Sequence, residues 1–229
     1  WEASYIDVLN AVKTSRKIAG CLVHEDVGPD TRLLVRWCKA NGVTTIHVPH
    51  APCHLLTGVV DIHRGSICDY VAASGEYMAQ FYSGGGFDPA RVVITGAPQW
   101  DALYTDYLPS REEARRVLAI GQNELVICYA TTWAQTTSLR SGFDDELEAG
   151  FRAVVELARA RGAFLEVKVH PHSPEAHDAY FAKSLEESGV GGLVTRAHLN
   201  YTVRAADVLI AQGPSNLCVE AAAMGAPSC

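Results

Sequence analysis

At 229 residues the chain is long enough for one large domain or two small ones, and 48% hydrophobic content with 20% charge and a mean hydropathy of +0.03 describes a folded globular protein. A net charge of -7 and a pI near 5.7 argue against broad binding to nucleic acid or to an anionic membrane, which needs clustered Lys and Arg. The sequence shows neither an 18-residue apolar run nor, in its start WEASYIDVLN, the basic end and apolar stretch of a signal peptide, so we expect a cytoplasmic protein.

Taken in chain order, short apolar runs alternate with amphipathic stretches, the signature of repeated βαβ units and a mostly parallel sheet. Strands are predicted over 18–24, 44–48, 70–73, 92–95, 125–130, 164–169, 192–195 and 208–211. Helices are predicted over 5–15, 31–40, 76–83, 111–119, 144–161, 174–188 and 215–224. The longest helix places Leu147, Phe151, Val154, Val155 and Ala158 on one stripe, which should cover a sheet face. The stretch GAPQWDALYTDYLPS interrupts the periodicity with Gly and Pro, dividing the chain into domains over 1–96 and 97–229.

Seven cysteines, at 21, 38, 53, 68, 128, 218 and 229, are an odd number without C-x-x-C spacing, and read as reduced, small buried hydrophobes. The chain opens on Trp1 and stops directly after Gly225-Ala226-Pro227, where the pattern asks for another strand, so a fragment is expected.

In open parallel sheets ligands gather at the carboxyl ends of the strands, so the loops after the strands are where chemistry is sought. After the last strand come Gln212, Gly213, Pro214, Ser215 and Asn216, then an apolar helix stopped at Gly225. Ser215 as N-cap and the free N-H groups behind it make an anion site suited to a diphosphate without a metal, with Glu220 one turn on and able to face a ribose. The same pattern also reads as an ordinary capped helix with a surface Glu.

The segment EVKVHPHSPEAH sets Lys168, His170 and His172 at a strand end, where Lys and His donate to phosphate oxygens and proline stiffens the loop. Surface histidines are the plain alternative. In the first half, HVPHAPCHLLTG gathers His47, His50, Cys53 and His54. Their types suit zinc, but no second ligand pair completes a site; a histidine with an ordinary pKa near 6.5 serves better as a general base, and His50 is the choice. Glu25 and Asp26 end the first strand, where they read either as acceptor-side carboxylates or as turn residues before Gly28-Pro29.

In this order the segments resemble the CDP-glycerol glycerophosphotransferase-like and capsule-type transferases of bacterial cell-surface polymer synthesis, which have the GT-B fold. CDYVAASGEYMAQFYSGGGFDPARVVITGAPQWDAL resembles the end of their first domain and its G-x-P-x-x-D hinge, here Gly96, Pro98 and Asp101. VICYATTWAQ is similar to their P-T-W-R segment, KVHP to their K-x-H-P, and LNYTVRAADVLIAQGPSNLCVEAAAMGAP to their closing pattern. The resemblance implies two Rossmann-like domains with mostly parallel sheets facing a cleft, the second binding a nucleotide-linked donor and the first supplying the base and acceptor groove. By position it assigns catalysis to His50 and His170, and donor binding to Lys168, Ser215 and Glu220; Thr132, in the segment similar to P-T-W-R, and Asn216, beside the cap, are expected to join the donor site. Ala51, Thr131 and Ala134 depart from the family's Gly, Pro and Arg.

The expected function is transfer of a glycosyl or glycerophosphoryl group from a nucleotide-activated donor to a surface-polymer or glycan acceptor, without metal or other cofactor and without nucleic acid. Work at the inner face of the membrane, through peripheral contact by segments beyond this sequence, fits the same expectation. The alternatives are a non-hydrolysing UDP-GlcNAc 2-epimerase, for which no Thr-x-His-Arg stretch follows the strand at 125–130, a CMP-sialic-acid-dependent sialyltransferase-like enzyme, and a nucleotide-binding module that has lost turnover.

Overall fold

The computed structural model describes residues 2–26, 28–49, 66–98, 100–101, 108–131, 143–213 and 215–229, with side chains from Glu148 onward in the stretch that opens at 143. It forms two compact units, Trp1–Pro98 and Gln99–Cys229.

The first unit runs α1 (Glu2–Ser15), β1 (Gly20–Val23), α2 (Pro29–Ala40), β2 (Thr44–His47), β3 (Tyr70–Ala73), α3 (Glu76–Gly84), a 3-10 turn (Pro89–Arg91) and β4 (Val92–Ile94). Its strands are all parallel in the order β1-β2-β3-β4. Crossovers between parallel strands are right-handed, so an order that advances in one direction puts the described connecting helices α2 and α3 on one face. That face holds buried Val23, His47, Val71 and Ala73 with Val35, Met78 and Tyr82 packed near them, while Leu22, Tyr70 and Val93 on the opposite side remain exposed.

The second unit runs α4 (Arg111–Val117), β5 (Val126–Ala130), α5 (Phe143–Arg161), β6 (Phe164–Lys168), α6 (Ala176–Ser188), β7 (Gly192–Thr195), α7 (Leu199–Ala205), β8 (Val208–Ala211) and α8 (Asn216–Ala223). Strand order is β7-β6-β5-β8, all parallel. Every residue of β5 is buried, which is why VICYA reads as an unbroken apolar run: both faces of a parallel sheet are covered. Ile127 and Tyr129 pack with Phe151, Val155, Leu165 and Phe181, whereas Val126, Cys128 and Ala130 pack with Ala114, Val203, Ala221 and Met224. Phe151, Val154, Val155 and Ala158 of the predicted stripe are buried, and the side chain of Leu147 lies outside the described residues.

At the amino end of this sheet Arg115 is wholly buried. Its guanidinium donates to the carbonyls of Ala205, Gly121 and Gln122 at 3.0, 3.1 and 2.7 Å and to Asp207 at 3.0 Å. Asp207 also accepts from Arg111 and from the Val126 N-H. One ion cluster therefore ties α4, β5 and the turn after α7 together.

α1 begins at Glu2, three residues ahead of the helix expected from 5, and two further departures fall in the second unit. The helix predicted from 174 begins at Ala176, and α7, unassigned by periodicity, fills 199–205. α7 is capped by His198, whose ring nitrogen accepts from the Asn200 N-H, rather than by the Ser, Thr, Asp or Asn that signals a helix start, as Ser110 does for α4 of the same length. The strand expected after Gly225 begins as parallel pairing of Leu209 with Ser228.

Candidate active site

β6 and β7 lie to one side of β5 and β8 to the other, so the strand order reverses between β5 and β8. Open α/β sheets bind ligands at such a switch point, outside the carboxyl ends of the strands. The last residues of the four strands, Thr195, Lys168, Ala130 and Ala211, lie side by side in register. Above them is a cavity of about 370 Å³, into which Thr131, Lys168, His170, Arg196, His198, Ser215, Asn216 and Glu220 contribute.

The corner after β8 turns through Gly213, whose φ of +84° is a left-handed value that residues with a Cβ rarely hold. Ser215 then takes an extended N-cap conformation and its Oγ accepts from the Leu217 N-H at 3.2 Å. The start of α8, with its positive dipole end, therefore opens on the cavity.

Lys168 closes β6. Its Nζ donates to the Ala197 carbonyl at 2.8 Å, and burial pulls its ammonium below the ordinary lysine value despite the opposing effects of Cys128, Glu166 and Glu220. Two residues earlier on the same strand face sits Glu166, with no exposed surface and, among the described residues, no hydrogen-bond partner for either carboxyl oxygen. Burial raises its pKa to about 8, against the pull of Lys168.

His170 is anchored at both ends. Its backbone N-H donates to Thr131 Oγ1 at 3.0 Å, and its Nδ1 accepts from the His172 N-H at 3.2 Å. The second bond leaves the neutral ring with its proton on Nε2. Burial, with His172, Lys168 and Arg196 nearby, lowers the ring's pKa, so near pH 7 it is a neutral N-H donor. Thr131, which stands where the resembled family has Pro, thus supplies a bond that proline lacks the hydroxyl to make.

Arg196, just past β7, gathers the loop that follows His170. It pairs with Asp178 through Nε at 3.0 Å and donates to the carbonyls of His170, Pro171, Ser173 and Pro174 at 3.1, 3.1, 2.9 and 3.2 Å. Glu220, one turn into α8, accepts from the Trp100 indole N-H at 3.2 Å; burial raises its carboxyl, with Trp100, His198 and Lys168 opposing.

Of the residues singled out from sequence, Lys168, His170, Ser215, Asn216 and Glu220 come together at this cavity. His50 and Thr132, together with the departures Ala51 and Ala134, lie outside the described residues. Glu25 and Asp26 do local work in the first unit. Glu25 accepts from the Gly28 N-H at 3.0 Å and Thr31 Oγ1 at 2.6 Å, closing the start of α2. Asp26, buried, accepts from Ser66 Oγ at 2.7 Å and the Ile67 N-H at 2.8 Å, with His47 Nδ1 3.8 Å from its other oxygen. Arg196, His198, Trp100 and Glu166 escape the sequence reading; a single charged residue after a strand is the only trace Arg196 leaves.

Residues 52–212, more than half of the chain, match the family model of CDP-Glycerol:Poly(glycerophosphate) glycerophosphotransferase. No curated protein matches. Among solved structures, the UDP-GlcNAc 2-epimerase of Methanocaldococcus jannaschii in complex with UDP-GlcNAc and UDP is 12% identical with a TM-score of 0.68, over 99% of this chain and 64% of that one. The UDP-GlcNAc 2-epimerase of Neisseria meningitidis bound to UDP-GlcNAc is 15% identical with a TM-score of 0.67, over 99% and 63%. The wall teichoic acid polymerase TagF is 15% identical with a TM-score of 0.48, over 81% and 48%. The likeness to the epimerases is one of fold, the GT-B type. The chain spans less than two thirds of the length of each of these structures.

Proposed function

Since the chain belongs to the CDP-glycerol:poly(glycerophosphate) glycerophosphotransferase family, we propose that it transfers a glycerophosphoryl or glycosyl group from a nucleotide-activated donor to a surface-polymer or glycan acceptor. In this reading the second unit holds the donor and the first supplies the acceptor side. Lys168, His170 and the capped start of α8, converging on one cavity at the switch point of a parallel sheet, are the observation that carries it.

For a glycerophosphoryl donor, His50 takes the proton of an acceptor hydroxyl, and the oxygen's electron pair forms a bond to the phosphorus. The bond from that phosphorus to the bridging oxygen breaks, and its electron pair leaves on the nucleotide phosphate. Lys168 and the Nε2-H of His170 face the charge that develops there, while the Ser215 helix start meets it with its positive dipole end. Preorganised donors at a developing charge are commonly the largest catalytic contribution. Glu220, held by Trp100, is set to receive a ribose hydroxyl. This chemistry belongs in the cytoplasm, where nucleotide-activated donors are made, at the inner face of the membrane where a surface polymer grows. Among the described residues no helix is long and apolar enough to cross a membrane.

The experiment is incubation of the purified protein with CDP-glycerol and a glycerol-phosphate-primed acceptor, following CMP release and acceptor mass. CMP release matched by acceptor extension supports the reading. Nucleotide binding with no product from any of CDP-glycerol, CMP-sialic acid and UDP-GlcNAc would favour a module without turnover, and UDP-GlcNAc epimerised without an acceptor would replace the transferase reading.

A further inference from the structure

Glu166 is the one charged-type side chain on the central strands that the proposed transfer leaves unused. It lies in the middle of β6, opposite Cys128 of β5 and Leu193 of β7. Among the described residues the helices against this face bring it no donor: Thr202 of α7 gives its hydroxyl proton to the Leu199 carbonyl, and Arg204 donates to the carbonyls of Pro109 and Met224. The titratable groups around it are the buried Cys128 thiol, held far above its ordinary value by burial, and Lys168 on the same strand face. Glu220 of α8 is a second carboxylate that acts on Lys168. Lys168 itself gives its Nζ hydrogen bond to Ala197, and forms no ion pair with Glu166.

A carboxylate buried without donors is far costlier than a carboxylic acid in the same place. We propose that Glu166, as a neutral acid, is the positioning residue that leaves the charge of Lys168 available to the phosphates of a nucleoside diphosphate. The inference rests on the donor-site reading given above. Were Glu166 ionised, Lys168 would face carboxylates at 166 and 220 and its charge would be compensated before any ligand arrived. An anionic ligand on Lys168 in turn favours the neutral form of Glu166, so binding is linked to retention of that proton. With the Glu166 carboxyl near 8, affinity falls as pH rises through that value.

The test uses CDP as the probe, titrated calorimetrically into the wild-type chain and into Glu166→Gln from pH 7 to pH 9. For a group titrating at about 8, the wild-type dissociation constant rises about tenfold over this range, whereas that of Glu166→Gln stays level. On the wild type alone, repeating the titration at pH 8.5 in buffers of different ionisation enthalpy should show proton uptake on binding. CDP binding whose pH fall is as steep in Glu166→Gln as in the wild type overturns the proposal, because Lys168 is then the titrating group. Wild-type binding that is level with pH and takes up no proton overturns it equally, whether or not the variant folds. Absence of CDP binding by both proteins at every pH overturns the donor reading, and this proposal with it.

Discussion

The ring Nδ1 of His170 accepts a hydrogen bond from the backbone N-H of His172 at 3.2 Å, and this bond fixes which nitrogen of His170 carries the proton. The free edge of the ring is then a donor, suited to an oxygen that gains charge. Protonation at Nδ1 would set two N-H groups against each other and open the loop.

His170→Ala removes that donor. Loss of one such group typically costs about 2.7 to 4 kcal/mol of transition-state stabilisation, or a hundred- to a thousand-fold in kcat. Steady-state CMP release measures it, and thermal unfolding should move little because the ring is half-buried. The pH profile follows the same logic. Burial lowers the folded ring's pKa, so activity holds through neutrality and falls in acid as the imidazolium forms and the His172 bond breaks. An activity that rises on acidification would remove His170 from its role as neutral donor.

Arg196→Ala should release the loop carrying His170. Five partners share that guanidinium, so the expected result is faster proteolysis within 171–175 and a fall in kcat/KM of about tenfold or more, with the sheet core intact. Arg196→Lys should fail to restore it, because a lysine lacks the planar fork that reaches several carbonyls at once. Its partner Asp178 is held below the usual carboxylate range, chiefly by the Arg196 hydrogen bond. The pairing is therefore complete above the ordinary aspartate pKa and is lost as pH falls through the depressed one.

Arg115→Ala should cost about 1 to 3 kcal/mol or more, because it strips donors from the carbonyls of Ala205, Gly121 and Gln122 beside a buried site, and denaturant unfolding of the second unit reads it directly. For Asp207, burial alone would raise the carboxyl, but the Val126 N-H, Arg111 and Arg115 outweigh it and leave the pKa depressed. Its contribution is present at neutral pH and disappears on acidification, so the wild type should lose stability in acid more steeply than Asp207→Asn. Equal acid profiles would show the cluster to be energetically idle.

Much of this architecture was legible beforehand, for particular reasons. The central strand of the second unit announces itself because a parallel strand covered on both faces is apolar throughout, as in 126–130; the other described strands show as short apolar runs between helical stretches. The capped corner at Ser215 and the pair Lys168 and His170 were legible because strand ends are where a sheet leaves polar side chains free. Glu166 was not, since an alternating E-V-K pattern is also what a half-exposed strand shows; only the packing of α7 and α8 over that face turns Glu166 inward. Glu25 and Asp26 were readable as turn residues, but their donors, at Thr31 and at Ser66 and Ile67, emerge only from the folded chain. The local helix α7 carries His198 at its start in place of an ordinary cap residue, so nothing in the sequence marks where it begins.

Arg196 grips its loop through four main-chain carbonyls, and a carbonyl is the same in every residue type. The shape of 170–174 is thereby written in a distant arginine more than in its own side chains. Related proteins can drift at 171–174 and keep His170 aimed, whereas exchange of one residue at the end of β7 would unmake the loop without touching its sequence. A comparison that scores only the loop's letters would call such a site intact after its geometry had gone.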